Sequence, residues 1–261
     1  MIQQEFAIKA KEILEKDEEV IGLAVGGSWL TNEIDQYSDL DLILITKTKV
    51  SANKNKMLGF AHRFGNFLSG FTGEHVGEPR VLICLYDKPL LHVDIKFLTL
   101  AELDYRVETP HILFDRNGEI KTIFQQSKEK FPLPDYQWIE DRFWTWVHYT
   151  LLKIGRGEYF EAFDFFGFLR MVVFGPLLHI KNGNLPRAVR KVEVELNIND
   201  LADLKKTIPK YERKSLLQSL RNSVKLYRDL RKSLFDENVK LRNETEKKVM
   251  EYFEIIEKQN E

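Results

Sequence analysis

The sequence predicts an α+β protein in which an N-terminal sheet with flanking helices is followed by an all-helical C-terminal region. Short apolar runs typical of strands occur in the first half of the chain, at residues 20–25, 42–45, 80–86 and 90–98. Beyond residue 135, apolar and aromatic residues recur at helical spacing, and no convincing strand pattern is found. The segment Pro132-Leu133-Pro134-Asp135 separates the two patterns. We therefore expect two domains, residues 1–131 and 132–261.

The remaining elements follow from the same periodicities. Residues 2–18 are amphipathic with helical spacing, and residues 111–115 are typical of a short further strand. Residues 54–71 also have helical spacing, although Gly59, Gly65 and Gly70 disfavour a helix. The C-terminal region predicts four long helices, at residues 136–154, 158–181, 211–233 and 237–259.

Composition restricts the class of protein. The chain has 261 residues, of which 43% are hydrophobic and 30% charged, as in soluble globular proteins. Its 39 basic and 40 acidic residues balance to a net charge of −1, which argues against a protein that grips long nucleic acid. The single cysteine, Cys84, excludes an internal disulfide and is compatible with a reducing compartment. Without a signal-peptide pattern or a run of 18 apolar residues, we expect a cytoplasmic protein that does not enter a membrane.

Candidate chemistry is concentrated after the first and before the second apolar run. Gly27 and Ser28 follow the first run, where a backbone turn can receive a phosphate group. Asp39 and Asp41 lead into the second run and, being two residues apart in a strand, project from the same face. Two carboxylates so close repel each other unless a cation lies between them. Mg²⁺, a hard ion that prefers oxygen ligands, meets that need.

These residues resemble the signature of the nucleotidyltransferase superfamily, within which the chain is most similar to the antibiotic nucleotidyltransferases that act on aminoglycosides or lincosamides. The resemblance extends to a third carboxylate, Asp94, on a later strand and covers about the first half of the chain. It implies a mixed sheet, Mg²⁺ held by Asp39, Asp41 and Asp94, and ATP or another nucleoside triphosphate at Gly27 and Ser28. It leaves Asp94 as a metal ligand, as the base for the acceptor hydroxyl, or as both.

Each motif has a structural alternative when taken singly. A Gly-Ser pair after a strand is commonly an ordinary turn, and an Asp-x-Asp pair is commonly a solvated strand end. Asp94 taken alone is more typical of an ion-pair partner, for example of Lys96 or Arg80. The order and spacing of all these residues inside apolar strands favour the functional interpretation. His92 shares a strand face with Asp94 and is the histidine that we place near the site.

The acceptor is less well defined by the sequence. Glu158, Glu161 and Asp164 recur every three residues at the start of a helix. Glu158 and Glu161 either bind a cationic acceptor such as an aminoglycoside, or are acids favoured in a first turn by the helix dipole.

The resemblance predicts transfer of a nucleoside monophosphate, with AMP as the first expectation, to a hydroxyl of a small molecule and with release of pyrophosphate. The alternatives are modification of a protein partner, as in toxin–antitoxin systems, and a nucleotide-binding protein without catalysis. The long helical C-terminal region favours a small-molecule acceptor, and the retained aspartates favour an active enzyme. The sequence does not define the oligomeric state.

Overall fold

The sheet of the N-terminal region has six strands. We analysed a computed structural model that describes residues 1–51 and 53–259. The strands are β1 (Val20–Val25), β2 (Leu40–Thr46), β3 (Asn66–Gly73), β4 (Glu78–Asp87), β5 (Leu91–Leu98) and β6 (His111–Asp115). Their order is β3-β4-β5-β2-β1-β6. The β2–β5 pair is parallel and the other neighbours are antiparallel, so the sheet is mixed.

Helices cover both faces of this sheet. Helices α1 (Ile2–Leu14) and α2 (Lys54–Ala61) pack against one face, in a core that includes Leu14, Met57, Leu42 and Val93. Helix α3 (Glu119–Gln126) packs on the other face, in a smaller core that includes Ile120, Ile45 and Leu98. Ile45 and Leu98 lie near the ends of β2 and β5. Asp41 and Asp94 lie on this second face near the beginnings of the same two strands, as the alternation of side chains along a strand requires.

The predicted helix at residues 54–71 is wrong in its second half. Helix α2 ends at Ala61, and residues 66–73 form the edge strand β3, which pairs with β4. Gly65 precedes this strand and Gly70 lies within it, and glycine weakens a helix at both positions. Pairing with β4 satisfies the backbone of β3, and this partner is not visible from local periodicity.

The C-terminal region contains seven α-helices among its described residues and no strand. Their bounds are α4 (Tyr136–Gly155), α5 (Tyr159–Leu169), α6 (Gly175–Lys181), α7 (Val192–Glu195), α8 (Ile198–Lys205), α9 (Arg213–Leu234) and α10 (Asn243–Lys258). A π-helical turn, Arg170–Phe174, joins α5 to α6. The core that these helices share includes Phe143, Trp144, Phe174 and Tyr227. The α+β prediction, with a helical C-terminal region, is confirmed.

The chain folds as two compact units, Met1–Phe131 and a second that begins at Pro132. One helical stretch of the second unit, Tyr159–Lys181, is long and apolar enough to cross a membrane by length and composition. Half of that stretch is buried inside the protein, and its residues belong to the core shared with the other helices, as in the core helix of a helical bundle.

Candidate active site

Asp41 and Asp94 lie side by side on one face of the sheet. The parallel register of β2 and β5 pairs Asp41 directly with Asp94, and Leu42 with Ile95 on the opposite face. Neighbouring strands are about 4.8 Å apart, so the two carboxylates share one small region. Both residues are half-buried. The structure therefore brings these two predicted site residues together.

Asp39 lies just before β2, at the end of the loop that connects it to β1. The pKa of Asp94 is raised mainly by burial and, to a smaller extent, by the negative charge of Asp39. Asp39 therefore lies close enough to Asp94 for the two carboxylates to repel each other. The loop is held by Gln3 of α1, which is 1% exposed. The Gln3 side-chain amide donates to the carbonyl oxygens of Asp35 and Ser38, at 2.9 and 2.8 Å. Because the Ser38 carbonyl belongs to the peptide bond of Asp39, Gln3 positions the first aspartate.

The pKa of Asp94 is raised above its ordinary value, chiefly because burial removes the carboxylate from water. His92 opposes this rise, since its Nε2 lies 2.9 Å from Oδ1 of Asp94. The ion-pair partners considered from the sequence are engaged elsewhere: Lys96 and Arg80 both bind Glu78, at 2.8 and 2.7 Å. Asp94 is thus a partly buried carboxylate that contacts the predicted histidine.

Gly27 has a backbone conformation and surroundings that exclude a side chain. Its φ of +62° lies in the left-handed region, and a Cβ there would overlap Oδ2 of Asp41. Ser28 follows within the short 3-10 turn Gly27–Trp29. The missing side chain of Gly27 makes room for Asp41, so the turn after β1 and the aspartate of β2 are packed together.

Glu108 approaches the same turn from the segment before β6. The Gly27 N–H donates to Oε1 of Glu108 at 2.9 Å. A Cβ on Gly26 would lie 2.6 Å from that same oxygen. The two glycines therefore accommodate two different carboxylates, Gly26 that of Glu108 and Gly27 that of Asp41.

The donor set fits Mg²⁺ bound together with a substrate. Among residues 1–51 and 53–259, no three His, Cys, Asp or Glu side chains are grouped so as to hold a metal by themselves. Mg²⁺ is usually held by one or two carboxylates, with waters and substrate phosphates as the other ligands. Asp41 and Asp94, directly opposite each other, with Asp39 near Asp94, provide oxygen ligands of that kind.

Glu158 and Glu161 belong to the second unit and share a lysine. Lys153 of α4 lies 2.7 Å from Glu158 and 2.8 Å from Glu161. Tyr149 also donates a hydrogen bond to Glu161. The side chains of the two acids are 39% and 49% exposed, whereas that of Lys153 is 15% exposed. The cation that holds the two carboxylates together is therefore the more buried partner.

The surroundings of this acidic pair are open. Arg156 lies 3.8 Å from Glu158, and its side chain is 67% exposed. Asp164, the third acid of the sequence pattern, is exposed further along α5. The two acids and Asp164 are thus accessible from solvent.

A cavity of about 380 Å³ lies between α1 and the β4–β5 turn, and its lining includes none of the predicted site residues. Leu91 lines this cavity, whereas its neighbour His92 contacts Asp94. Because successive residues of a strand face opposite ways, the cavity is on the other side of the sheet from the site.

Comparison with solved structures finds similarity over the whole chain. An aminoglycoside 6-adenyltransferase from Bacillus subtilis is 17% identical, with a TM-score of 0.44, covering 98% of this chain and 99% of its own. A nucleotidyltransferase-like protein from Exiguobacterium sibiricum is 13% identical, with a TM-score of 0.36, covering 100% of this chain and 81% of its own.

No family model matches the chain, and no curated protein sequence matches it.

Two residues at the site were missed by sequence reasoning. Gln3 lies in the first turn of an amphipathic helix, where a buried glutamine has no distinctive pattern. Glu108 lies 81 residues from its hydrogen-bond partner Gly27, outside any strand or helix. Neither contact has a local sequence signal, because each depends on the folding of the chain.

Proposed function

We propose that this protein is a Mg²⁺-dependent nucleotidyltransferase that moves a nucleoside monophosphate, AMP when ATP is the donor, to a hydroxyl of a small molecule. The observation that supports it best is the juxtaposition of Asp41 and Asp94 beside the Gly27 turn. The acceptor class is that of aminoglycoside or lincosamide antibiotics, and the role is antibiotic resistance in the cytoplasm. Long nucleic acid and membranes have no part in this proposal.

The residues divide the work of the transfer. Asp39 and Asp41, with Asp94 as a further ligand, would hold Mg²⁺, and the ion would supply positive charge next to the triphosphate. The turn at Gly27 and Ser28 binds the phosphates beyond the α-phosphate through backbone N–H groups and the Ser28 hydroxyl. These assignments use side chains on one sheet face and a turn at the end of β1.

Asp94 accepts the proton of the acceptor hydroxyl. The hydroxyl oxygen forms a bond to the α-phosphorus, and the bond from that phosphorus to the bridging oxygen of the β-phosphate breaks. Pyrophosphate leaves with the electron pair of the broken bond, while the hydroxyl proton passes to Asp94. Its place on the neighbouring strand, directly opposite Asp41, suits Asp94 to this role beside the bound triphosphate.

Glu158 and Glu161 are proposed to attract a cationic acceptor. Two carboxylates against Lys153 leave an excess negative charge, which an ammonium group of the acceptor can neutralise. Arg156 is exposed and lies farther from Glu158, so an acceptor can take its place. Because both carboxylates are partly exposed, the attraction is of the screened, surface type.

The experiment that tests the proposal measures pyrophosphate release from each nucleoside triphosphate with Mg²⁺ and a panel of aminoglycosides and lincosamides. The wild-type chain should turn over at least one combination, and Asp39→Asn and Asp41→Asn should abolish transfer while the protein stays folded. Asp104→Asn, at an exposed aspartate of the same unit, controls for the loss of one charge. Unchanged turnover in Asp41→Asn would exclude the metal site, and covalent nucleotide on a protein instead of a small molecule would favour the protein-modifying alternative.

A further inference from the structure

Glu108 occupies the backbone N–H group that the proposed function assigns to a phosphate. Its Oε1 accepts the hydrogen bond of the Gly27 N–H at 2.9 Å, and Glu108 is half-buried against the turn. The Glu108 carboxylate thus binds the same N–H group that the proposed function assigns to a phosphate, and both groups are anions. The absence of a Cβ on Gly26 allows the contact, since a Cβ would lie 2.6 Å from the same oxygen.

We propose that Glu108 is a built-in competitor of the triphosphate, which must leave the Gly27 N–H before a phosphate can bind there. This inference rests on the proposed function. In the free protein the carboxylate of Glu108 satisfies the N–H group of Gly27. When the triphosphate arrives, a phosphate oxygen replaces the carboxylate oxygen, and Glu108 moves toward solvent.

Two physical effects make the competition measurable. A ligand that binds only the open form has its apparent affinity reduced in proportion to the fraction of the protein that is open. The negative charge of Glu108 also opposes the approach of a polyanion, because like charges a few ångströms apart repel. This second effect is smaller for a triphosphate whose charge is reduced by Mg²⁺. Glu108 thereby favours the Mg²⁺-bound triphosphate over free phosphate anions.

The opposite expectation would hold if Glu108 only positioned the turn. Removing a positioning residue would disorder Gly27 and weaken phosphate binding, whereas removing a competitor strengthens it. The sign of the change in affinity therefore separates the two roles.

The test is calorimetric titration of the full chain with inorganic tripolyphosphate, without metal, and with Mg²⁺–ATP. We compare wild type, Glu108→Ala, Glu108→Gln and the control Glu119→Ala, which removes the same charge at an exposed position of α3. Glu108→Ala should bind tripolyphosphate about tenfold more tightly, the effect of releasing one charge-assisted hydrogen bond, and should gain less for Mg²⁺–ATP. Glu108→Gln keeps an acceptor oxygen but not the charge, so its affinity for tripolyphosphate should lie between those of wild type and Glu108→Ala. Glu119→Ala should change affinity less than about twofold.

Thermal unfolding of each variant establishes that it is folded, and the glutamine variant keeps the shape of the side chain if the alanine variant is unstable. Unchanged or weaker binding in both Glu108 variants, with wild type binding normally, would overturn the inference alone. No binding of either ligand by any variant, wild type included, would overturn the proposed function and the inference with it.

Discussion

Asp41 of β2 and Asp94 of β5 are direct neighbours across a parallel strand pair, although 53 positions separate them in the chain. Around them, His92 contacts Asp94, and Gly27 makes room for Asp41. Asp39, Asp41 and Asp94 therefore have different surroundings, and single substitutions can test the role of each.

Asp94→Asn should lower the rate of transfer by about two to four orders of magnitude, the usual contribution of general acid–base catalysis. Affinity for the Mg²⁺-bound triphosphate should persist, because Asp39 and Asp41 remain. Steady-state kcat and calorimetric nucleotide binding measure the two effects separately. Loss of nucleotide binding together with transfer would make Asp94 chiefly a metal ligand, and near-normal turnover would remove it from the site.

The raised pKa of Asp94 also predicts how stability depends on pH in the metal-free chain. A carboxyl whose pKa is higher in the folded state stabilises the fold while protonated, and this contribution is lost as pH rises from about 3.9 through the raised value. Asp94→Asn, which stays neutral, should therefore gain stability relative to wild type as pH rises through that window. Urea unfolding at about pH 4 and about pH 7 in EDTA measures the difference, with Asp104→Asn as the control for net charge. A gain that is equal at both pH values would contradict the burial argument.

Gly27→Ala and Gly77→Ala form a matched pair for the turn. Both glycines have positive φ, +62° and +78°, so the left-handed backbone alone should cost each alanine variant about 1 kcal/mol of stability. The overlap with Asp41 adds to this cost in Gly27→Ala. Of these two glycines, Gly27 is the one where a Cβ would meet a carboxylate, that of Asp41. At Gly77 no atom lies within 4 Å of an added Cβ. Transfer should therefore be lost in Gly27→Ala and retained in Gly77→Ala. Equal activity in the two variants would show that Asp41 tolerates displacement.

Gln3→Ala should disturb Asp39 from a distance. The substitution removes the donor to the Asp35 and Ser38 carbonyls and leaves a small cavity, which together cost about 2 kcal/mol. Nucleotide affinity should fall as well, since Asp39 follows Ser38 directly. Gln4→Ala, at the exposed neighbouring glutamine, is the control for both measurements. A loss of stability with unaltered Mg²⁺–ATP affinity would assign Gln3 a purely structural role.

The acceptor proposal is tested at Lys153 and its two partners. Glu158→Gln and Glu161→Gln should each raise the KM of a cationic acceptor about two- to fivefold, as expected for partly exposed charges. Lys153→Met, which removes the internal cation, should lower that KM. Added salt should reduce all three effects on the acceptor KM, and at a given salt concentration none of the three substitutions should change the nucleotide KM. Glu244→Gln, in the first turn of α10, is the control. An acceptor KM that is indifferent to these changes and to salt would exclude the acidic pair from recognition.

Local patterns predicted the fold class and most strands because period-two alternation and apolar runs are properties of neighbouring residues. They also predicted that Asp94 shares a strand face with His92, and the two side chains are in contact. That Asp39 shares the face of Asp41 stays a prediction, because Asp39 lies before β2. They were wrong at residues 66–73, where hydrogen bonding to β4 makes a strand of a segment with helical spacing.

The sequence by itself thus determined which residue types are available for the chemistry and which way each faces within its own strand. The tertiary structure decided which of them meet: the parallel register sets Asp41 against Asp94, Gln3 reaches the loop before Asp39, and Glu108 reaches Gly27. These contacts join residues from 32 to 81 positions apart. Hydrogen-bond register and side-chain packing bring such residues together only when the whole sheet forms, so no local pattern encodes them.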